Sequence, residues 1–158
     1  MTESENQLQL VTFQLGVGKY GIDIMEVREI VRSQDIRPIP NSPQWVAGLL
    51  NLRGKIIPII DLHARFHISR LPAEEEETDQ GGIMIIDVSG KELGVVIDKI
   101  LRVVALSSSE LQSPPQMMSG IGSEYIQSVV KENEGYLVIL NTRRIFNPRE
   151  LQSIAALV

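Results

Sequence analysis

The chain has no cysteine, which removes disulfides, thiolate metal sites and cysteine nucleophiles together and suits a reducing, cytoplasmic setting. Aromatic residues are only 4 % of the sequence, so stacking platforms for bases are not expected. Long hydrophobic runs are absent: no stretch of 18 apolar residues occurs, and residues 1–7 are polar and acidic, unlike a signal peptide. Neither export nor membrane insertion is therefore expected. Positive charge is also scarce, with 15 Lys and Arg against 20 Asp and Glu for a net charge of −5. That balance argues against a phosphate-binding surface and against nucleic acid as a partner.

What is present is aliphatic. Hydrophobic residues are 43 % of 158, dominated by Ile, Val and Leu, which favours β structure in one ordinary domain or two small lobes sharing a core. Residues 8–15 and 19–24 read as strands joined by Gly16-Val17-Gly18, a hairpin. Residues 25–31 fit either a helical turn or a strand. Ser42 followed by Pro43 resembles a cap and first helical position, predicting a short helix over 43–47 that ends at Gly48. Residues 49–52 and 55–60 read as strands around Arg53-Gly54, with Asp61 capping a brief helix to about His67. Residues 71–82, with Glu74 to Glu77, read as a solvated acidic connection.

Beyond that connection the pattern starts again. A shift of 73 lays Leu10-Val11-Thr12-Phe13 on Ile83-Met84-Ile85-Ile86, Gly21 on Gly94, Ile24 on Ile97, Val27 on Ile100 and Ile30-Val31 on Val103-Val104. A shift of 80 lays residues 56–61 on 136–141 and Phe66 on Phe146, with the seven extra residues expected in the 107–122 loop. One small β unit is thus duplicated, and the two lobes pack together because neither alone would bury much core. The expected organisation is a first lobe over 8–70, the connection over 71–82, a second lobe over 83–146, and a helix over 148–157 with Leu151, Ile154 and Ala155 as its buried stripe.

Few residues suggest chemistry. Gly16, Gly18 and Gly21 spell G-x-G-x-x-G, but a strand follows where a dinucleotide site needs a helix. His63 and His67 have metal-ligand spacing, yet a third ligand is missing and their repeat mates are Arg143 and Asn147, so a solvated helix face is the expected reading. Asp23, Asp61, Asp87 and Asp98 fall at strand ends or turns, where Asp satisfies backbone donors. A metal-dependent hydrolase using His63 and His67 and an OB-like oligonucleotide binder stay as alternatives. The most informative residue is Arg53, flanked by apolar runs: an unpaired buried charge costs several kcal/mol, so it must find a partner or a surface. No nucleophile, base or ligand cluster accompanies it, which points to recognition. The equivalent stretch of the second half, Glu132-Asn133-Glu134, has no arginine, so the charge belongs to one lobe.

The run N-L-R-G-K-I-I-P-I-I-D-L over residues 51–62, preceded by Y-G-I-D-I-M-E-V-R-E-I over 20–30, resembles the CheW family of bacterial chemotaxis coupling proteins. Further agreement lies at Ser123-Glu124-Tyr125-Ile126 and in the L-V-I-L-N run ending at Asn141, so the resemblance spans residues 8–151. It implies an all-β fold with a few short helices, in which two five-stranded OB-like or SH3-like barrels exchange strands across a shared core. It also implies no catalytic activity and no required cofactor or metal. The implied role is to connect the cytoplasmic tips of chemoreceptors to the histidine kinase CheA in membrane-associated arrays, the protein alone being a monomer. Similar domains occur in CheA and CheV beside further domains that 158 residues do not hold, so a free-standing member is expected. Carried over by position, Glu29 and Arg53 resemble a family ion pair near the receptor-facing surface. Val27 and Ile30 resemble positions in the interlobe groove that receives the receptor tip; Ile100 and Val103 are their repeat mates, with plain core filling as the alternative. Met117, after Pro114-Pro115, is the candidate kinase contact.

Overall fold

The computed structural model describes residues 7–32, 35–69, 81–114, 123–133 and 135–157. Its strands are β1 (Gln7–Leu15), β2 (Gly18–Asp23), β3 (Val27–Arg32), β4 (Val46–Leu52), β5 (Lys55–Ile60), β6 (Gly82–Val88), β7 (Lys91–Ile97), β8 (Lys99–Ser107), β9 (Ile126–Glu132) and β10 (Gly135–Leu140). Three short helices are α1 (Leu62–Phe66), α2 (Thr142–Ile145) and α3 (Pro148–Ala155). The 25–31 ambiguity resolves into both alternatives in turn. Residues Ile24–Glu26 form one 3₁₀ turn, with the Asp23 carboxylate accepting the Met25 N–H at 2.9 Å, and β3 starts at Val27. The helix expected over 43–47 does not form, and β4 already begins at Val46. There the Ser42 hydroxyl donates to the Ile39 carbonyl at 2.8 Å, a local turn that competes with helix capping.

The strands form two five-stranded sheets in the orders β3-β6-β7-β5-β4 and β8-β1-β2-β10-β9. Each takes its β-hairpin (β6-β7 or β1-β2) from one half of the sequence and its other three strands from the other half. The duplicated units therefore interlock, and the pairing registers repeat with the sequence shifts. Val27 opposes Ile86 as Ile100 opposes Phe13, Ile30 opposes Met84 as Val103 opposes Val11, and Ile59 lies beside Gly94 as Ile139 lies beside Gly21. Both sheets close on themselves. After β3, Arg37 bridges to Leu49 of β4; after β8, Gln112 bridges to Val129 of β9. Two of the seven extra residues thus precede the second bridge and five follow it. At the first bridge the backbones approach so closely that a Cβ on Gly48 would stand 2.2 Å from the Arg37 carbonyl oxygen. We refer to the two barrels by their exposed arginines, as the Arg53 barrel (β3, β6, β7, β5, β4) and the Arg102 barrel (β8, β1, β2, β10, β9).

Alternating aliphatic residues fill three clusters. Leu50, Leu52, Ile57, Ile59, Ile83 and Ile85 form the inside of the Arg53 barrel, and Leu10, Val130, Leu137 and Ile139 the inside of the Arg102 barrel. A larger cluster, including Phe13, Ile22, Ile60, Met84, Ile86 and Ile97, packs the barrels together. Each fully buried side chain of this kind contributes roughly 1.5–3 kcal/mol. The helices sit at the junction. Asp61 caps α1 by accepting the Ala64 N–H at 3.3 Å, Asn141 caps α2 at Arg143, and Asn147 with Glu150 forms a capping box on α3. Trp45 packs on Phe146 and Tyr125 on Phe66, both with ring centroids 5.3 Å apart. Arg65 lies among these rings, its guanidinium carbon 5.0 Å from the Trp45 centroid, donating to the Ile145 carbonyl and in bidentate fashion to Glu150.

Candidate functional site

The exchange brings β3 of one barrel and β8 of the other to one groove. Ile30, Val31 and Arg32 of β3, Gly81 and Gly82 leading into β6, and Ile97 and Ile100 flanking the β7–β8 crossover line a cleft of about 370 Å³. Ile30 is 42 % exposed although aliphatic, whereas Ile100 is half-buried against the shared core. Val27 also packs on that core, and Val103 stands 54 % exposed on β8 outside the cleft lining. Thus Ile30 and Ile100 share the cleft, while Val27 packs on the shared core outside its lining and Val103 presents a separate apolar point. Met117 lies outside the described residues.

Arg53 sits at the tip of the β4–β5 hairpin, and its guanidinium pairs with the Glu29 carboxylate on β3. Both central residues of the turn are left-handed, Arg53 at φ 54° and Gly54 at φ 84°, as a tight two-residue hairpin requires. Asn51 supports the turn by accepting the Gly54 N–H at 3.0 Å. A left-handed arginine costs about 1–2 kcal/mol over glycine. The half-exposed ion pair returns about 0.2–1 kcal/mol, so fold stability alone does not explain an arginine there. A second pair, Arg28 with Asp87, lies along the same barrel; Arg28 and the Gly90 N–H hold the Asp87 carboxyl below its usual range.

The histidines behave differently from the expected solvated helix face. His63 is only 3 % exposed, its Nε2 2.8 Å from Asp98 Oδ2 and its Nδ1 3.5 Å from Asp61 Oδ1. Asp98 also accepts the Gly16 N–H at 2.6 Å, so this node ties α1 and the β7–β8 crossover to the β1–β2 hairpin. His67, in contrast, is an exposed left-handed cap at φ 59°. Among the described residues no group of three or more His, Cys, Asp or Glu could hold a metal ion. The G-x-G-x-x-G segment is the β1–β2 turn and the strand after it. Sequence reasoning missed Arg65 and its rings; the signal available was that Trp45 and Tyr125, like Phe66 and Phe146, are 80 residues apart.

Interlocked, strand-exchanged barrels with an apolar groove at their joint and an ion pair held at a hairpin tip define a duplicated β-barrel of the scaffold class. A CheW-like domain model matches residues 9–150, and the chain belongs to this family of chemotaxis adaptors. It is 50 % identical to a chemotaxis protein CheW of Treponema pallidum over 99 % of this chain and 92 % of the relative, and 27 % identical to the CheW of Bacillus subtilis over 92 % and 90 %. Among solved structures it is similar to the crystal structure of scaffolding protein TtCheW from Thermoanaerobacter tengcongensis, with a TM-score of 0.78, 29 % identity, and 89 % and 88 % of the two chains covered. No helix among the described residues is long and apolar enough to cross a membrane.

Proposed function

We propose that this chain couples the cytoplasmic tips of methyl-accepting chemoreceptors to the histidine kinase CheA, as a non-catalytic, cofactor-free linker in cytoplasmic arrays beside the membrane. The observation that carries this reading is the groove in which Ile30 of β3 and Ile100 of β8, one from each barrel, line one cleft. An apolar floor with Arg32 at its edge suits an amphipathic helical tip, which buries aliphatic side chains and leaves polar ones at the rim. In this reading Val27, Ile30 and Ile100 form the receptor contact and Val103 extends it. Glu29 and Arg53 add an oriented charge pair, which explains a left-handed arginine kept at a hairpin tip. Met117 is the proposed kinase contact on sequence grounds. The whole chain acts as one unit, since its barrels interlock.

The test is co-sedimentation with receptor fragments and CheA, added separately and together. Arg53→Ala is expected to weaken assembly about tenfold, as central arginines at interfaces commonly do. Its thermal stability should change by less than about 1 kcal/mol. Val27→Ala should weaken receptor binding without unfolding the chain. If both variants assemble normally, the proposed receptor surface is wrong.

A further inference from the structure

The repeat gives six equivalent positions per barrel, all interior in the Arg53 barrel, and the two sets differ in kind. In the Arg53 barrel they are Ile83, Ile85, Leu50, Leu52, Ile57 and Ile59, all aliphatic and buried. Their mates in the Arg102 barrel are Leu10, Thr12, Val130, Glu132, Leu137 and Ile139. The two polar replacements, Thr12 and Glu132, line the same feature: an open cleft of about 290 Å³ with Leu101, Arg102, Val104 and Lys19. Where one barrel is plugged by Ile85 and Leu52, the other has a mouth.

That mouth is built beside a clamped stretch of backbone that carries a cation. Thr12 is buried, and its hydroxyl donates to the Arg102 carbonyl at 2.5 Å and accepts the Arg102 N–H at 3.0 Å. This clamp lies at the β1–β8 register shift between Val11 and Phe13, fixing the backbone from which Arg102 projects. Arg102 stands at the position equivalent to Glu29, but no carboxylate at the opposite hairpin pairs with it among the described residues. Glu132 is engaged by Lys19 at 3.7 Å. The cleft thus carries two cations against one carboxylate on a chain of net charge −5. We propose that it is a binding site for a carboxylate carried on a short branched apolar body, with Arg102 taking the carboxylate and Leu101, Val104 and Leu137 the apolar part. A planar guanidinium matches a carboxylate bidentately, and the volume admits one side chain or one small acid. The same chemistry is offered by a free aliphatic acid and by a glutamate beside leucine on a partner protein. The site lies on the other barrel from Arg53 and is independent of the receptor reading.

The experiment is an NMR titration of the full chain, following the Arg102 Nε–H and the Thr12 amide. The probes are 4-methylpentanoate and the peptide acetyl-Ala-Leu-Glu-Leu-Ala-amide, each with its amide counterpart, 4-methylpentanamide or the Gln peptide. Expected are saturable shifts with at least one acid, with affinity lower by about tenfold for its amide counterpart and in Arg102→Gln, which corresponds to about 1.4 kcal/mol. Arg53→Gln should bind unchanged. Tighter binding of 4-methylpentanoate assigns the site to a free acid, and tighter binding of the peptide assigns it to a partner's side chain. The proposal is overturned if neither acid gives saturable shifts by about 20 mM, well above the millimolar range of a few-kcal/mol contact. Equal binding of acids and amides, or full binding by Arg102→Gln, overturns it as well.

Discussion

The two barrels repeat one pairing register yet solve the same structural problems with different side chains. Where β4 meets its closing bridge, the Arg53 barrel has Gly48; 80 residues on, β9 of the Arg102 barrel has the buried Ser128. Where a helical turn meets the crossover that joins the barrels, one side uses His63 with Asp98, at 2.8 Å. The other side uses Thr142, whose hydroxyl donates to Glu26 at 2.9 Å. At the centre the symmetry breaks outright, because Arg65 hydrogen-bonds the carbonyl of its own repeat mate, Ile145, and then reaches Glu150 of α3. The register thus rests on what both copies share: aliphatic alternation and tight turns. The side chains at the joints are free to differ.

The comparison can be broken most severely at Gly48. Gly48→Ser copies the Arg102 barrel into the Arg53 barrel, but a Cβ there meets the Arg37 carbonyl at 2.2 Å and the residue sits at φ 149°. Opening the bridge should cost about 4 kcal/mol, at the upper end for single substitutions. For a chain of this size that lowers the melting temperature by roughly 8–16 °C. A melt within a few degrees of wild type would show that closure at Arg37–Leu49 contributes little. Next in size is the central knot. Arg65→Leu removes a largely buried cation, leaving the Glu150 carboxylate without its charge partner and the Ile145 carbonyl without that donor, for an expected loss of about 3 kcal/mol. Acid tests the same contact. Burial opposes ionisation of Glu150, yet the Arg65 hydrogen bonds, the Asn147 N–H and the Arg65 charge together hold its carboxyl below the usual range. A depressed carboxyl contributes stability above its unfolded-state value, about 4.3, and loses it as pH falls through the folded value. Wild type should therefore lose stability below about pH 4.5 more steeply than Glu150→Gln. Parallel pH profiles would remove Glu150 from the account.

The residues that differ between barrels are also those that sequence reading reached least well. The hairpins at Gly16, Gly54 and Gly90, the caps at Asp61 and Asn147 and the repeat itself were legible because each is a local pattern of glycine, cap or alternation. The exchange of strands was not readable from periodicity, since swapped and unswapped barrels use the same register and the same apolar faces. The family resemblance supplied it. His63 looked solvated because its i, i+4 spacing to His67 says nothing about Asp98, 35 residues away. Arg65 escaped notice because its partners lie 80 and 85 residues along the chain. The Ser42-Pro43 helix failed because the serine hydroxyl found the Ile39 carbonyl first. The groove was legible only in part: Ile30 and Ile100 share it, whereas Val103 stands beside it.

The finest contrast lies at Ser128, the mate of Gly48. Its side chain is buried, and among the described residues its hydroxyl has no hydrogen-bond partner. A side chain is tolerated there because closure through Gln112 and Val129 leaves room that closure through Arg37 and Leu49 does not. The hydroxyl itself contributes nothing to that tolerance, and burying it unpaired costs roughly 1–3 kcal/mol of desolvation. Ser128→Ala keeps the Cβ and removes the orphaned group, so it should stabilise the chain by about 0.5–1 kcal/mol. The sign decides the issue in chemical denaturation at equal m-value. A gain means that the Arg102 barrel needs bulk at this position, whereas a loss means that the hydroxyl makes a bond on which closure of that barrel depends.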